Sequence, residues 1–132
     1  MESLLIDTNV ILRFLLLDVP QQVKEIKVFF NKAKANKIKI IVPEVVIFEA
    51  KYALGSYYKF TNSEVSDRLE ALVSASFFEV ENKTIFLKAI SYFRGSNLSF
   101  VDCFLVAKSE IEKVEIFTFD KDLKKFASQV AS

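Results

Sequence analysis

The chain opens with Leu4-Leu5-Ile6-Asp7-Thr8-Asn9-Val10-Ile11-Leu12, in which a short apolar run passes through an aspartate into a helical pattern. Apolar or β-branched runs of strand length recur at Ile38–Val42, 77–81 and 114–119, with longer helical patterns between them. Strands that alternate with helices are typical of a mostly parallel central sheet with helices on both faces. The sequence therefore predicts an α/β fold.

Helix-start signals support this order of elements. Two prolines suit first helical positions, two pairs of a hydroxyl and an acid have capping-box spacing, and one aspartate can cap the last helix. In chain order these are Pro20, Pro43, Thr61 with Glu64, Ser99 with Asp102, and Asp120. Glycine and proline number only two each, and no linker or repeat is visible, so we expect one domain over residues 1–132.

The composition excludes several classes of chemistry. Without histidine, the chain cannot form a Ser-His-Asp or Cys-His nucleophile pair or a histidine zinc site. Its single cysteine, Cys103, excludes an intrachain disulfide, and its two glycines cannot supply a P-loop or a three-glycine dinucleotide motif. Carboxylates and hydroxyls remain as the candidate functional groups.

The sequence shows no targeting signal, no membrane segment and no strong excess of either charge. The start of the chain lacks the basic residues of a secretory signal, and the apolar run around Arg13 is too short to cross a bilayer. The net charge of +1 indicates no gross preference for nucleic acid or lipid. We therefore expect a cytoplasmic protein without a membrane segment.

Asp7 and Asp120 each follow a predicted strand directly. In a parallel sheet the carboxyl ends of the strands share one edge, where ligands bind, so we expect both carboxylates at that edge. Each aspartate also precedes a helical pattern, and an ordinary helix cap explains either one equally well.

Glu49 and Asp102 fall on helical patterns. On a helical wheel Glu49 lies on the apolar side with Val45 and Tyr52, which predicts a carboxylate that faces the core or emerges from the edge of that face. Asp102 has apolar neighbours three and four residues further on, but its spacing from Ser99 also fits a helix-capping role.

Four carboxylates brought together would repel one another unless a cation neutralised them. An all-oxygen site favours Mg²⁺ or Mn²⁺. Such ions generate a hydroxide nucleophile from water and offset the charge of a phosphoryl displacement. The carboxylates thus indicate metal-dependent hydrolysis of a phosphodiester, a reaction that needs no histidine base.

Four segments together resemble the PIN-domain family, most closely the VapC-type toxin ribonucleases of bacterial and archaeal toxin–antitoxin pairs. They are residues 5–12, 42–49, 99–107 and 117–123, which read LIDTNVIL, VPEVVIFE, SFVDCFLVA and FTFDKDL. Their order and spacing span nearly the whole chain. The resemblance implies a PIN-like three-layer fold and a metal-dependent endoribonuclease.

The resemblance also implies roles for individual residues. The catalytic and metal-binding acids correspond to Asp7, Glu49, Asp102 and Asp120, and the polar residues that support them correspond to Thr8, Asn9, Ser99 and Thr118. Asp122 is a further acid, whose alternative role is in the first turn of the closing helix. Cys103 stands where the family usually has a small residue, and we expect a buried, inert thiol.

Two further segments suggest partners. Six lysines give residues 21–39 a local excess of five positive charges, which fits either RNA binding or a solvated helix face. They are Lys24, Lys27, Lys32, Lys34, Lys37 and Lys39. Residues 48–60 are rich in aromatic rings, and by resemblance such a surface serves a homodimer and a VapB-type antitoxin.

Three alternatives remain open. A haloacid dehalogenase-like phosphatase also begins with an aspartate after a strand, but Asn9 stands where its second acid belongs. A phosphoacceptor receiver domain needs a pair of acids after its first strand, where only Asp7 is found. A PIN domain that processes RNA without an antitoxin fits the same residues as a toxin does.

Overall fold

The computed structural model of the protein describes residues 2–131, so Met1 and Ser132, the ends of the predicted domain, lie outside the described residues. The chain forms two compact units that divide between Lys83 and Thr84. The first unit contains β1 (Glu2–Leu5), α1 (Thr8–Leu16), α2 (Pro20–Lys34), β2 (Ile38–Val42), α3 (Glu44–Tyr52), a π-helical turn (Ala53–Tyr57), α4 (Asn62–Ser74) and β3 (Phe78–Val80). Further along the chain come α5 (Lys83–Arg94), α6 (Phe100–Glu112) and α7 (Lys121–Ala131).

The first unit is built on a parallel sheet in the order β1-β2-β3. Successive residues of a strand point to opposite faces, so Ile40 and Val42 of β2 are buried while Lys39 is exposed and pairs with Glu79 of β3 at 2.9 Å. The register sets Ile40 beside Phe78 on the buried face. The predicted α/β class and parallel sheet are confirmed.

Aromatic rings fill the space between the helices and the sheet of the first unit. Phe14 of α1 and Phe30 of α2 meet edge to face with their centroids 5.0 Å apart, and both rings meet Phe78 of β3 in the same way. Edge-to-face contacts add to the gain from apolar burial. Ile47 of α3 and Leu69 of α4 are fully buried, so all the helices of this unit contribute to its core.

The second unit has its own core between α5 and α6. Phe86 and Phe100 are buried and stack with their centroids 6.3 Å apart. At the edge of this core Tyr92 donates a hydrogen bond to Glu110, which also pairs with Lys88 at 2.9 Å. Burial, together with the neighbouring Glu110 carboxylate, raises the pKa of Tyr92 to about 12.

The predicted strand at residues 114–119 is not formed. Phe117 and Phe119 are 89% and 91% exposed, and the Val114 N–H donates to the Ser109 carbonyl at the end of α6 instead. A strand completes its backbone hydrogen bonds with a neighbouring strand, and residues 114–119 pair with none of the described strands. The β-branched and aromatic composition of 114–119 therefore led to a wrong prediction.

Helix boundaries follow the sequence signals with small differences. α2 begins at Pro20, as predicted, whereas Pro43 is the N-cap of α3 and the helix begins one residue later at Glu44. Within residues 2–131, none of the helices has the length and apolarity that crossing a bilayer requires.

The two predicted capping boxes differ. At the start of α4 the Thr61 hydroxyl accepts from the Glu64 N–H and the Glu64 carboxylate accepts from the Thr61 N–H, so the box is complete. At the start of α6 the Ser99 hydroxyl accepts from the Asp102 N–H at 3.1 Å, but no return bond from Asp102 forms within the described chain. Aspartate is one methylene shorter than the glutamate of a capping box, which explains the difference.

Left-handed backbone occurs at residues other than glycine. Leu17 ends α1 with a φ of 52° and Lys113 ends α6 with a φ of 58°, while neither glycine has a positive φ. The Leu17 N–H donates to the Arg13 carbonyl at 2.9 Å and closes the helix. A Cβ in this conformation crowds the following carbonyl, so both helix ends carry local strain.

Candidate functional site

Asp7 connects β1 to α1. Its Oδ1 accepts a hydrogen bond from the Val10 N–H at 3.0 Å and so caps α1. The Ile6 N–H donates to the Ile41 carbonyl at 3.3 Å, which extends the β1–β2 pairing up to Asp7. Asp7 therefore lies at the carboxyl end of a strand and also serves as a helix cap.

Glu49 faces solvent, so the core-facing alternative is corrected, whereas a side chain that emerges from the helix face agrees with the structure. Its side chain is exposed on the same stripe of α3 as Val45 and Tyr52. The side of α3 that packs inward carries Ile47 and Ala50. Because α3 has apolar residues on both stripes, the helical wheel alone could not distinguish the buried one.

Thr8 holds the Glu49 carboxylate. Its hydroxyl donates to Glu49 Oε1 at 2.7 Å, which joins α3 to the first residue of α1, directly after Asp7. Asn9 is exposed and lines, with Asp7 and Arg13, a hollow of about 220 Å³. The first unit thus brings Asp7, Thr8 and Glu49 into one region.

Asp102 lies half-buried in the first turn of α6. The cap at Ser99 is made to the backbone N–H of Asp102, so it would survive a change of the carboxylate. The capping alternative therefore accounts for the Ser99 hydroxyl and leaves the charge of Asp102 without a capping function.

Asp120 precedes α7 as a helix cap. Its Oδ1 accepts from the Leu123 N–H at 2.9 Å, and Thr118 Oγ1 accepts from the Asp120 N–H at 3.0 Å. Because 114–119 is irregular, Asp120 does not follow a strand, and that part of its prediction is corrected. Asp122 lies in the first turn of α7, which is its alternative role.

Hydrogen bonds connect the predicted site residues in small groups, each within one unit. These are Asp7, Thr8 and Glu49 in the first unit, and Ser99 with Asp102 and Thr118 with Asp120 in the second. Across residues 2–131, no group of three or more Asp, Glu, His or Cys side chains is placed to hold a metal ion. The donors nevertheless suit Mg²⁺ or Mn²⁺, because they are carboxylate and hydroxyl oxygens.

Glu81 and Asn82, which follow β3, make contacts with the start of α3 that the sequence did not indicate. Pro43 offers no side-chain cap, and Glu81 Oε1 instead accepts from the Glu44 N–H at 3.1 Å. The Asn82 amide donates to Glu44 Oε2 at 2.6 Å. Asn82 follows β3 with a φ of 57°, and an asparagine directly after a strand is the signal that could have identified this turn.

The six lysines of residues 21–39 are all exposed, but they differ in their partners. Lys39 forms an ion pair with Glu79 at 2.9 Å, and the Lys34 ammonium lies 4.9 Å from the centroid of the Phe77 ring. The ion pair offsets the charge of Lys39, so the local positive excess is smaller at the β2 end of the segment. Binding of RNA by these lysines stays a prediction.

The aromatic segment 48–60 is partly buried and partly exposed. Leu54 of the π-helical turn is fully buried, while Tyr52 and Tyr57 are 68% and 78% exposed. The Tyr58 hydroxyl accepts a hydrogen bond from Arg13 at 2.7 Å. Two tyrosines of the segment therefore remain on the surface.

Cys103 is fully buried in α6. Burial raises the pKa of its thiol, so the thiol stays protonated at neutral pH and is a poor nucleophile. The buried position that the sequence predicted for this residue is confirmed.

Comparisons with known proteins agree with the resemblance. A family model described as the PIN domain matches residues 4–129. A VapC ribonuclease of Aquifex aeolicus (strain VF5) is 30% identical over 122 residues, which are 92% of this chain and 90% of that protein. No solved structure matches significantly. Since the family model spans nearly all of the sequence, the chain belongs to the PIN domain family.

Proposed function

We propose that this protein is a metal-dependent endoribonuclease of the VapC type, acting as the toxin of a toxin–antitoxin pair. The observation that carries the proposal is the PIN-domain match across residues 4–129, supported by similarity to a protein named as a VapC ribonuclease. Membership of this family sets aside the phosphatase and receiver-domain alternatives. We further propose that residues 1–132 act as a single nuclease domain.

The proposed metal-binding and catalytic residues are the four acids Asp7, Glu49, Asp102 and Asp120. Thr8, Asn9, Ser99 and Thr118 are proposed as their supporting residues. The hydrogen bond from Thr8 to Glu49 supports the first-unit half of this assignment. The assignment of Asp102 is supported by its free role at the helix start: the Ser99 cap is made to the backbone N–H, so the carboxylate is not needed for capping.

Each acid would contribute carboxylate oxygens to a site for Mg²⁺ or Mn²⁺. A bound divalent ion would supply an activated water and offset the charge at the scissile phosphate. Thr8 orients Glu49, and Thr118 holds the backbone of Asp120, so both hydroxyls would limit the freedom of the acids. The exposed lysines of α2 would attract the RNA backbone.

The partners proposed for this chain are single-stranded RNA as the substrate, a VapB-type antitoxin and a second copy of the chain. The exposed Tyr52 and Tyr57 support a protein interface on the segment 48–60. We place the protein in the cytoplasm. An open reading frame for a small antitoxin-like protein directly upstream would distinguish the toxin from an RNA-processing nuclease.

Cleavage of single-stranded RNA with and without a chelator tests the activity. The metal-free protein in excess EDTA is expected to leave the RNA intact, and added Mg²⁺ or Mn²⁺ is expected to restore cleavage, because the four acids need a cation. Unchanged cleavage by rigorously metal-free protein would contradict the proposal. The same assay with Ca²⁺ and Zn²⁺ controls for nonspecific effects of divalent ions.

A further inference from the structure

We propose that Glu81 and Asn82 are positioning residues for Glu49, acting through the start of α3. This inference rests on the proposed function, because it concerns the metal affinity of the same acidic site. Neither residue was indicated by the sequence, and all the contacts involved lie within the first unit.

The first step is the attachment of these two residues to the sheet. The Glu81 N–H donates to the Val42 carbonyl at 3.1 Å and so continues the β2–β3 pairing by one residue. Asn82 completes the turn in the left-handed conformation, with a φ of 57°, which asparagine tolerates better than most residues. Backbone pairing thus fixes Glu81 at the carboxyl edge of the sheet, and Asn82 follows it directly.

The second step is the pair of hydrogen bonds that Glu81 and Asn82 make with the first residue of α3. Glu81 Oε1 accepts from the Glu44 N–H at 3.1 Å, and the Asn82 amide donates to Glu44 Oε2 at 2.6 Å. The first N–H groups of a helix have no partner inside the helix, and Pro43 gives none through its side chain. Glu81 therefore supplies an acceptor that α3 cannot provide, and its negative charge suits the helix N-terminus.

The third step links this hold to Glu49, which lies five residues beyond Glu44 and about 7.5 Å along the helix axis. Because the Glu49 side chain is exposed, core packing does not fix its carboxylate. Its position depends on the hydrogen bond from Thr8 and on where the helix itself is held. Ile47 and Ala50 hold the middle of α3 in the core, so release of the helix start would widen the range of positions open to Glu49 and lower the affinity for an ion shared with Asp7.

Glu81→Ala, which removes the acceptor, is the main test. The Mg²⁺ concentration for half-maximal RNA cleavage should rise about tenfold, in the range seen when groups that orient metal ligands are removed, while kcat at saturating Mg²⁺ changes less. The rise in Tm on addition of MgCl₂ should shrink in parallel. Glu81→Gln retains a side-chain carbonyl for the Glu44 N–H and should restore both values.

Glu79→Ala is the matched control, because Glu79 is an exposed acid two residues before Glu81 whose carboxylate pairs with Lys39 of β2. It should retain the wild-type Mg²⁺ midpoint and the wild-type rise in Tm on addition of MgCl₂. Asn82→Gly removes the amide while easing the left-handed backbone, and it should shift the Mg²⁺ midpoint in the same direction as Glu81→Ala.

Hydrogen exchange of the α3 amides provides a readout that does not depend on metal. Faster exchange in Glu81→Ala together with an unchanged Mg²⁺ midpoint would overturn the inference and leave Glu81 a purely structural cap. Equal losses in Glu79→Ala would overturn it as well. A wild-type protein that neither cleaves RNA nor responds to Mg²⁺ would instead overturn the proposed function, and the positioning role with it.

Discussion

Asp102 and Glu64 occupy equivalent positions at the starts of two different helices, so their side chains can be compared directly. Each is the third residue of its helix, and in each case the N-cap hydroxyl accepts from its backbone N–H. Only Glu64 returns the contact with its carboxylate. Asp102→Asn should therefore change the free energy of unfolding by less than about 1 kcal/mol, yet lower RNA cleavage by about a hundredfold or more, as expected when a group that stabilises charge is removed.

Thermal melts and cleavage assays of Asp102→Asn with and without Mg²⁺ check this prediction. The Mg²⁺-induced rise in Tm should be smaller than in the wild type, because the ion binds the folded mutant less tightly. Glu64→Gln is the control and should keep wild-type cleavage. An active Asp102→Asn protein with full stabilisation by Mg²⁺ would remove Asp102 from the site.

Tyr92 gives a pH prediction. Its folded pKa of about 12 exceeds the unfolded value of about 10, so its contribution to stability is complete below pH 10 and is lost as the pH rises towards 12. Tyr92→Phe should cost about 1–2 kcal/mol at neutral pH, and this cost should fall as the pH rises through 10 towards 12. Melts between pH 8 and 12 check it, with Tyr57→Phe, an exposed phenol, as the control.

At the scale of elements, α2 and the turn that follows it offer a test of RNA binding. Replacing Lys24, Lys27 and Lys37 with glutamine should weaken RNA affinity and reduce the salt slope by about 0.7 for each phosphate that the protein no longer neutralises. Lys39→Gln should have a smaller effect, because Glu79 already offsets that charge. Titrations of RNA at several salt concentrations decide between RNA binding and a solvated face, and an unchanged slope in the triple variant would favour the solvated face.

The sequence predicted most helices and strands, but it did not predict which side chains pack against them or which distant residues bond to them. Strand β2 and the capping box of α4 depend on local residue patterns, and both were predicted correctly. The segment 114–119 and the exposure of Glu49 depend on what packs against them, which no local pattern encodes. The hydrogen bond between Glu81 and Glu44 joins residues far apart in sequence, so only the fold could reveal it.

At the scale of the whole molecule, we expect a homodimer. Tyr52 and Tyr57 are exposed on one short segment, and large aromatic side chains are enriched at protein interfaces. Sedimentation velocity at micromolar concentration should show twice the monomer mass of 15.1 kDa. Tyr52→Lys combined with Tyr57→Lys should give the monomer, whereas Val28→Lys, at an exposed apolar residue of α2, should not.

The strained helix end at Leu17 suggests how the thermal stability of the protein can be raised without changing any of the proposed site residues. Leu17→Gly should relieve about 1 kcal/mol of backbone crowding. Gly95 has no positive φ, and a Cβ there would meet its nearest neighbour, the Ser91 carbonyl, at 3.8 Å, so Gly95→Ala should add about 0.5 kcal/mol by restricting the unfolded chain. Together they should raise Tm by about 6 °C, which a calorimetric scan of the double variant measures. Such a variant would tolerate the destabilising changes that exploring new RNA specificities requires.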